Sequence, residues 1–432
     1  MSKKAHRILL IAAGLLVAVL VLVLAYELIF ASSRRRWKLP ELPGAAGSAD
    51  LYDPGLLSPG LLKIIQNKLL VQVSVDSVTV DGLLVSAYET PARQTQEGSR
   101  TGLYLASDQI AYGRGLVRMG KKTDFNRWLQ AFDQAFGREG EPFHASHLTG
   151  QEDFPLIVQR GPAHWSVTLS YTRVLLEGYR AFGGKALAAR IMDLSDRLLP
   201  LFQEKETASP LIAGPRTLLA YDEWDTPPPD TVPEPGEEQP LEHAQGTHLA
   251  EIDCWTLLAL SRFDAQWAPL AADWQKILTR ARLDGPLPLY ASALGEDGET
   301  YLAVTGESTL SSLREELLIN LHLAEVGQAD SEFISWLRSQ LRDNKELPSG
   351  WNPVNGQASS SQAQSADYAL ALLLGRAAGD QLLMDEARQA LMTAYASSQT
   401  SDILGGWYRA GKSQRTFLLV AEDNTAVLVS LR

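Results

Sequence analysis

From about residue 59 to the end, this 432-residue chain repeats one pattern: apolar residues at i, i+3, i+4, i+7 spacing, interrupted by turn-rich loops. Leu257, Leu258 and Leu260 followed by Phe263 show it well. The spacing predicts helices near 59–70, 107–119, 123–136, 166–181, 184–204, 249–262, 266–283, 308–326, 330–342, 363–377, 380–397 and 416–431. Short strand–helix–strand alternation is absent. The one strand-like stretch, residues 69–88, reads as a hairpin or an irregular helix end. About a dozen helices in successive pairs predict an all-α fold, an α/α toroid (six-hairpin barrel) with six inner helices wrapped by six outer ones. A solenoid would need a fixed period and self-similar repeats, and the sequence has neither.

The beginning of the chain follows other rules. "ILLIAAGLLVAVLVLVLAYELIF", residues 8–30, holds one charge, Glu27, near its end. At about 1.5 Å per residue it spans the ~30 Å hydrocarbon core of a bilayer. It exceeds a signal-peptide apolar region, and no clear small-x-small cleavage site follows. Residues 1–38 therefore read as an uncleaved membrane anchor, with a cleaved signal as the alternative. Lys3, Lys4 and Arg7 precede the span and Arg34, Arg35, Arg36 and Lys38 follow it, so the positive-inside rule is nearly balanced. The expectation is a single-pass protein of the cell membrane with its domain outside. Residues 39–58, rich in Pro, Gly, Ala and Ser, read as a linker that lifts a domain at 59–432 off the membrane. Within that domain the Pro/Glu-rich residues 222–248 read as a surface insertion.

Charge and chemistry narrow the function classes. Residues 1–38 hold seven Lys/Arg and one acid, which leaves 32 basic and 50 acidic residues in the remainder, a net −18. So acidic a body disfavours nucleic acid and anionic lipid as partners. The single cysteine, Cys254, permits no intrachain disulfide, and the seven histidines show no metal-binding spacing, so no metal is expected. There is no GxGxxG, P-loop or GxSxG motif, and no cofactor is expected.

In a toroid the N-termini of the inner helices converge on one face, and acids placed there line a groove. Two predicted helix starts carry them: Asp108 in "ASDQIAYG", and Glu251 with Asp253 in "HLAEIDCWTLLALSRFDAQW". Glycoside hydrolysis needs two carboxyl groups, one protonated to give a proton to the leaving oxygen and one to activate water or attack. Tyr112, Trp165, Trp255, Trp351, Trp407 and Tyr408 supply rings that could stack on a sugar face. The alternative for the acids is N-terminal capping of their own helices, and for the rings, core packing.

Residues 81–125 resemble the opening of glycoside hydrolase family 8. That family has a "DGRV" turn, then "SEGxxYGM" opening an inner helix, then an "FD" pair; here stand "DGLLV" at 81–85, "SDQIAYGRGL" at 107–116 and "DFNRW" at 124–128. The resemblance places the family's catalytic acid on Asp108, and its tyrosine and glycine on Tyr112 and Gly113. A second family motif, "SDxDLxIAYSLLxA", is echoed at 250–267, which places its two aspartates on Glu251 and Asp253. Two departures stand out. The acid is Asp rather than Glu, and the "YDAxR" motif of the general base is matched by "LSSLR" at 310–314, with Ser311 in the aspartate's place; Glu307, Glu315 and Glu316 are near but out of register. Residues 251–278 and 405–431 are also similar to an uncharacterised bacterial toroid family that accompanies polysaccharide-synthesis machinery, with Asn424 and Thr425 in its "NTN" run. Together the resemblances imply a membrane-anchored glycosidase, endoglucanase-like and inverting. It would cleave or trim a β-linked exopolysaccharide, such as a β-1,4-glucan, beside polysaccharide-synthase components. The alternative is a degenerate toroid that binds glycan or a synthase partner and cuts nothing.

Overall fold

Each apolar stripe is one face of a helix, and the helices bury those faces on one another in two concentric rings. The computed structural model describes residues 40–47, 53, 56–75, 78–91, 98–137, 142–149, 157–161, 163–203, 246–295, 297–305, 308–344, 346–411 and 416–432. The chain divides into Met1–Glu41, of which Pro40 and Glu41 are described, and Leu42–Arg432, to which every element named here belongs. The anchor segment 8–30 lies outside the described residues, and among the described residues no helix is long and apolar enough to cross a membrane.

In chain order the helices are α1 (Leu57–Lys68), α2 (Ala106–Arg118), α3 (Lys122–Phe136), α4 (Trp165–Phe182), α5 (Lys185–Gln203), α6 (Cys254–Leu260), α7 (Trp267–Arg280), α8 (Leu313–Glu325), α9 (Ser331–Asp343), α10 (Ser365–Ala378), α11 (Gln381–Leu391) and α12 (Ala421–Ser430). The even-numbered helices pack in succession, and α12 closes back on α2. They form the inner ring, and the odd-numbered helices back them from outside. The predicted toroid is therefore present, with the boundaries of most helices within two residues of expectation.

Close approach of the helices depends on small residues. A Cβ on Gly113 of α2 would stand 2.6 Å from the Trp128 ring of α3, and one on Gly178 of α4 would stand 2.6 Å from Phe125. Between α3 and α4, Phe132 stacks on Tyr171 at 4.8 Å between centroids, part of an aromatic seam that joins one hairpin to the next.

The fold is mostly helical rather than all-α, because short strands precede several inner helices. Residues 69–88 include a true antiparallel hairpin, β1 (Leu70–Val75) with β2 (Val78–Leu84). A four-stranded sheet joins β3 (Ala87–Pro91) and β4 (Ser99–Arg100) to the end of the chain. Residues 246–248 of the expected insertion form β5 (Gly246–His248), paired with β6 (Ala293–Gly295); residues 222–245 lie outside the described residues. β7 (Tyr408–Ala410) and β8 (Thr416–Val420) complete the four-stranded sheet, so the helix expected from 416 begins only at Ala421. "TFLLV" is apolar in its middle and β-branched at both ends, and it fits between β7 and β3. The helix expected over 249–262 splits into a 3₁₀ turn, Leu249–Glu251, and α6.

The expected linker is not free along its length. Leu42 and Ala45 are buried in the core, the Trp255 indole N–H donates to the Pro43 carbonyl at 3.2 Å, and the Ala46 N–H donates to the carbonyl of Glu325, the last residue of α8, at 3.1 Å. Residues 42–47 thus lie on the end of the barrel where inner helices finish.

Candidate active site

The first turns of the inner helices meet at one end of the barrel. Asp108 of α2 senses Asp423 of α12, Arg314 of α8 and Arg409 of β7. Arg314 in turn pairs with Asp367 of α10 and Glu422 of α12, while Glu251, just before α6, meets Ser166 of α4 and Glu315 of α8. Carboxylates gather there because converging helix N-termini present positive dipole ends and free N–H groups.

Asp108 differs from the other acids in the cluster. It is 1% exposed, and neither carboxylate oxygen has a hydrogen-bond partner. Burial pushes its carboxyl up to about 7; Asp423 adds repulsion, and Arg314 and Arg409 pull the other way. Its backbone is fixed by its neighbour: the Gln109 amide accepts from the Leu84 N–H at 2.9 Å and donates to the Leu84 carbonyl at 2.8 Å, clamping α2 to β2. One turn on, Tyr112 is buried, and its hydroxyl accepts from the Gln66 amide at 3.4 Å.

The acids around it are tied to cations. Arg409 donates through Nε and Nη2 to the two oxygens of Asp423 at 2.6 and 2.9 Å, and through Nη2 to Glu422 at 2.9 Å. Arg314 donates to Asp367 at 2.9 Å and also pairs with Glu422. Asp423 further accepts from the Ala366 N–H at 3.0 Å, and Asp367 closes a capping box on α10.

Glu251 is solvent-exposed, yet protein surrounds it closely enough to push its carboxyl up to about 8. Glu315 adds repulsion, and a hydrogen bond from Ser166 opposes the shift. Glu315 accepts from the Ser292 hydroxyl at 2.6 Å. Ser311 is buried, and its hydroxyl donates to Glu316 at 2.5 Å; Glu316 also accepts from the Tyr290 N–H. The place where the family pattern has its base thus holds a serine committed to a buried glutamate, whose carboxyl burial pushes up to about 8. Glu307 lies outside the described residues.

Asp253 has a different task. It caps α6, accepting from the Thr256 N–H at 3.0 Å and hydroxyl at 2.8 Å, and receives Arg173 Nη1 at 2.9 and 3.0 Å. Although burial opposes ionisation, Arg173 outweighs it and holds the Asp253 carboxyl down at about 2. With its lone pairs so occupied, it is placed as a structural anion, not as an acid or base. Arg173 also donates to Glu325 and Glu177 and lies over the Trp255 ring at 4.1 Å. Asp253, His322 and Glu325 form the one three-donor group among the described residues that could encircle a metal, but the cation between the two carboxylates is this guanidinium.

The expected sugar platforms fall into two groups. Trp255, Trp351 and Trp407 are buried, as is Tyr112, so none presents an open ring face. Trp255 is covered on one face by Arg173, Trp351 packs edge-on to Trp336, and Trp407 is locked by hydrogen bonds to Asn424 and Leu391. Asn424, read from the "NTN" run, is therefore a clamp on the Trp407 backbone. Trp165 and Tyr408 are half-buried and keep part of their surface. Sequence reasoning missed Arg314, Asp367, Arg409, Glu422 and Asp423. The acid pair of "AEDNT" obeys the same rule that singled out Asp108, but it sat mid-helix in the predicted span.

No protein-family model matches the sequence, and no curated protein does. Solved structures do match in fold. An alpha-amylase from Clostridium perfringens superposes with a TM-score of 0.63 at 15% identity, covering 87% of this chain and 97% of that one. A cold-adapted family 8 xylanase, solved with substrate, gives 0.58 at 9% identity over 91% and 95%. The endo-beta-1,4-glucanase CMCax of Acetobacter xylinum gives 0.53 at 15% identity over 78% and 98%. The chain therefore has the α/α-toroid fold of the family 8 glycoside hydrolases, in a divergent sequence.

Proposed function

We propose that this chain is a glycoside hydrolase acting on a polysaccharide, with Asp108 as its proton donor. One observation carries the proposal: a carboxyl in the first turn of an inner helix, buried, unpartnered, and holding its proton near neutral pH. Structural carboxylates acquire partners, whereas a general acid needs a retained proton and a free oxygen. The fold is shared with a xylanase, a glucanase and an amylase, which supports the reaction class.

Glu251 is assigned the second role, because it is the solvent-exposed carboxyl of the cluster. In a single displacement Asp108 gives its proton to the glycosidic oxygen as the bond to the anomeric carbon breaks. Water attacks that carbon from the opposite side and loses its proton to Glu251, which serves as base in the fraction of molecules where its carboxyl, pushed up to about 8, is ionised while Asp108 still holds its proton. The outcome is inversion. We assign the substrate class as a β-linked exopolysaccharide, with β-1,4-glucan first to be tested. Residues 8–30 are assigned as the tether that holds the domain at the outer face of the membrane, near synthase components.

A second proposal, a toroid that binds glycan without cutting it, is favoured by Ser311 in the place of the family's base. The deciding experiment is reducing-sugar release by the full chain in lauryldimethylamine oxide micelles, on β-glucans, xylan, starch and exopolysaccharides. Release that disappears in Asp108→Asn and in Glu251→Gln is the expected result. No release on any polymer, with polymer binding retained, would establish the binding protein instead.

A further inference from the structure

The sheet β7–β8–β3–β4 has the acid cluster on one side and a cavity on the other. Successive side chains of a strand point to opposite faces, so Arg409, which reaches Asp423 and Glu422, and Tyr408 lie on different sides. Register places Tyr408 opposite Leu419, Ala410 opposite Phe417, and Phe417 opposite Thr90, so Tyr408, Phe417 and Thr90 share the face away from Arg409. The loop that follows α11 covers this face and leaves a cavity of about 260 Å³.

The lining has two kinds of surface. Tyr408 and Phe417 meet edge to face at 5.1 Å between centroids, and Tyr395, braced by Trp407 at 5.0 Å, adds a third half-buried ring. The loop contributes Ser397, Ser398, Ser401 and Asp402 to the lining. Asp402 is held in place by Lys68 at 2.5 Å and the Tyr88 hydroxyl at 2.6 Å. Among the described residues, no Lys, Arg or His lines the cavity.

A pyranose ring has one apolar C–H face and a rim of hydroxyls that both donate and accept. Aromatic rings suit the first, and serine hydroxyls with a fixed carboxylate suit the second. The Asp402 carboxylate in the lining disfavours a phosphate, a nucleotide or a uronic acid by repulsion, and the serine side chains argue against a purely apolar ligand. We propose that this cavity binds one neutral hexopyranose residue of a glycan, as a holding site separate from the Asp108 cluster. The ligand class rests on the glycan reading above; the geometry does not depend on catalysis. A chain held here as well as at the acid cluster gains from effective concentration, so long polymers benefit more than single sugars.

The test uses the full chain carrying Asp108→Asn in lauryldimethylamine oxide micelles, a detergent without a sugar head group. Calorimetric titration with cellohexaose, xylohexaose and maltohexaose gives the affinities. Two further variants alter the cavity: Ser398→Arg fills it from an exposed position, and Tyr395→Ala removes one ring. With circular dichroism and unfolding midpoint unchanged, each is expected to weaken binding of at least one hexasaccharide tenfold or more. Unaltered affinity in Ser398→Arg, or no binding of any of the three probes by the parent, would overturn the proposal. Turnover that survives Asp108→Asn would sink the catalytic assignment and leave this binding result standing.

Discussion

Replacing Asp108 by Asn should stabilise the protein above neutral pH while abolishing turnover. The folded carboxyl ionises near 7 instead of 3.8, so over that interval the folded state binds more protons than the unfolded chain. Stability must then fall as pH rises, because ionising this group costs more in the fold than in water. At about 1.36 kcal/mol per pH unit, the accumulated cost is about 1.5 kcal/mol at pH 5 and about 4 kcal/mol at pH 8. Asparagine has nearly the same shape and no charge, so it avoids that cost. Urea unfolding of both proteins at pH 5, 6, 7 and 8 should show Asp108→Asn gaining about 2–3 kcal/mol over the parent between the ends of that range. In the active parent, kcat/KM requires Asp108 protonated and Glu251 ionised, so it should peak between about pH 7 and 8 and fall on both sides. A stability difference that is independent of pH, or an asparagine variant that is less stable at pH 8, would show that Asp108 is paired or hydrated in solution and would refute the reasoning.

Three other substitutions probe how the site is held. Asp423→Asn removes an anion beside Asp108, so the pH range over which stability falls in urea unfolding should end at lower pH and the total fall should shrink; an unchanged pH dependence would show that Asp423 does not act on the donor. Arg173→Met leaves Asp253, Glu325 and Glu177 without their shared cation and should cost about 3–5 kcal/mol by denaturant unfolding, with no specific effect on KM in whatever still folds. Gly113→Ala places a methyl 2.6 Å from Trp128, which should cost about 1–3 kcal/mol and lower kcat by shifting the helix that carries Asp108; wild-type stability would mean that α2 and α3 pack less tightly than described.

The helical toroid was legible because every helix buries one stripe, and a stripe leaves its period in the sequence. Boundaries failed where a short strand runs straight into an inner helix. "TFLLVAEDNT" is apolar enough to extend a helical pattern backwards, and only pairing with β3 and β7, distant in sequence, makes Thr416–Val420 a strand. That one error hid Glu422 and Asp423, which stood mid-helix when they belong to a first turn. Asp108 and Glu251 were legible as acids at the starts of stripes. Asp253 obeyed the same rule and is a cap held by Arg173, a partner 80 residues away that no local pattern reveals. The aromatics failed for a related reason: Trp255, Trp351 and Trp407 carry the same composition signal whether their faces meet sugar or core.

The stoichiometry of charge explains why Asp108, among so many acids, keeps its proton. Arg314 and Arg409 are shared among Asp367, Glu422 and Asp423, so two cations already serve three anions. Each of those three has direct charge-assisted bonds, and Asp108 has none. A fourth negative charge in the same buried space would meet repulsion from Asp423 with no guanidinium hydrogen bond to offset it. Neutralising Asp108 by a proton costs least, and that proton sits on the group with a free oxygen. The arginines therefore shape the chemistry by where they are occupied: they satisfy Asp367, Glu422 and Asp423 and leave Asp108 without a cation of its own.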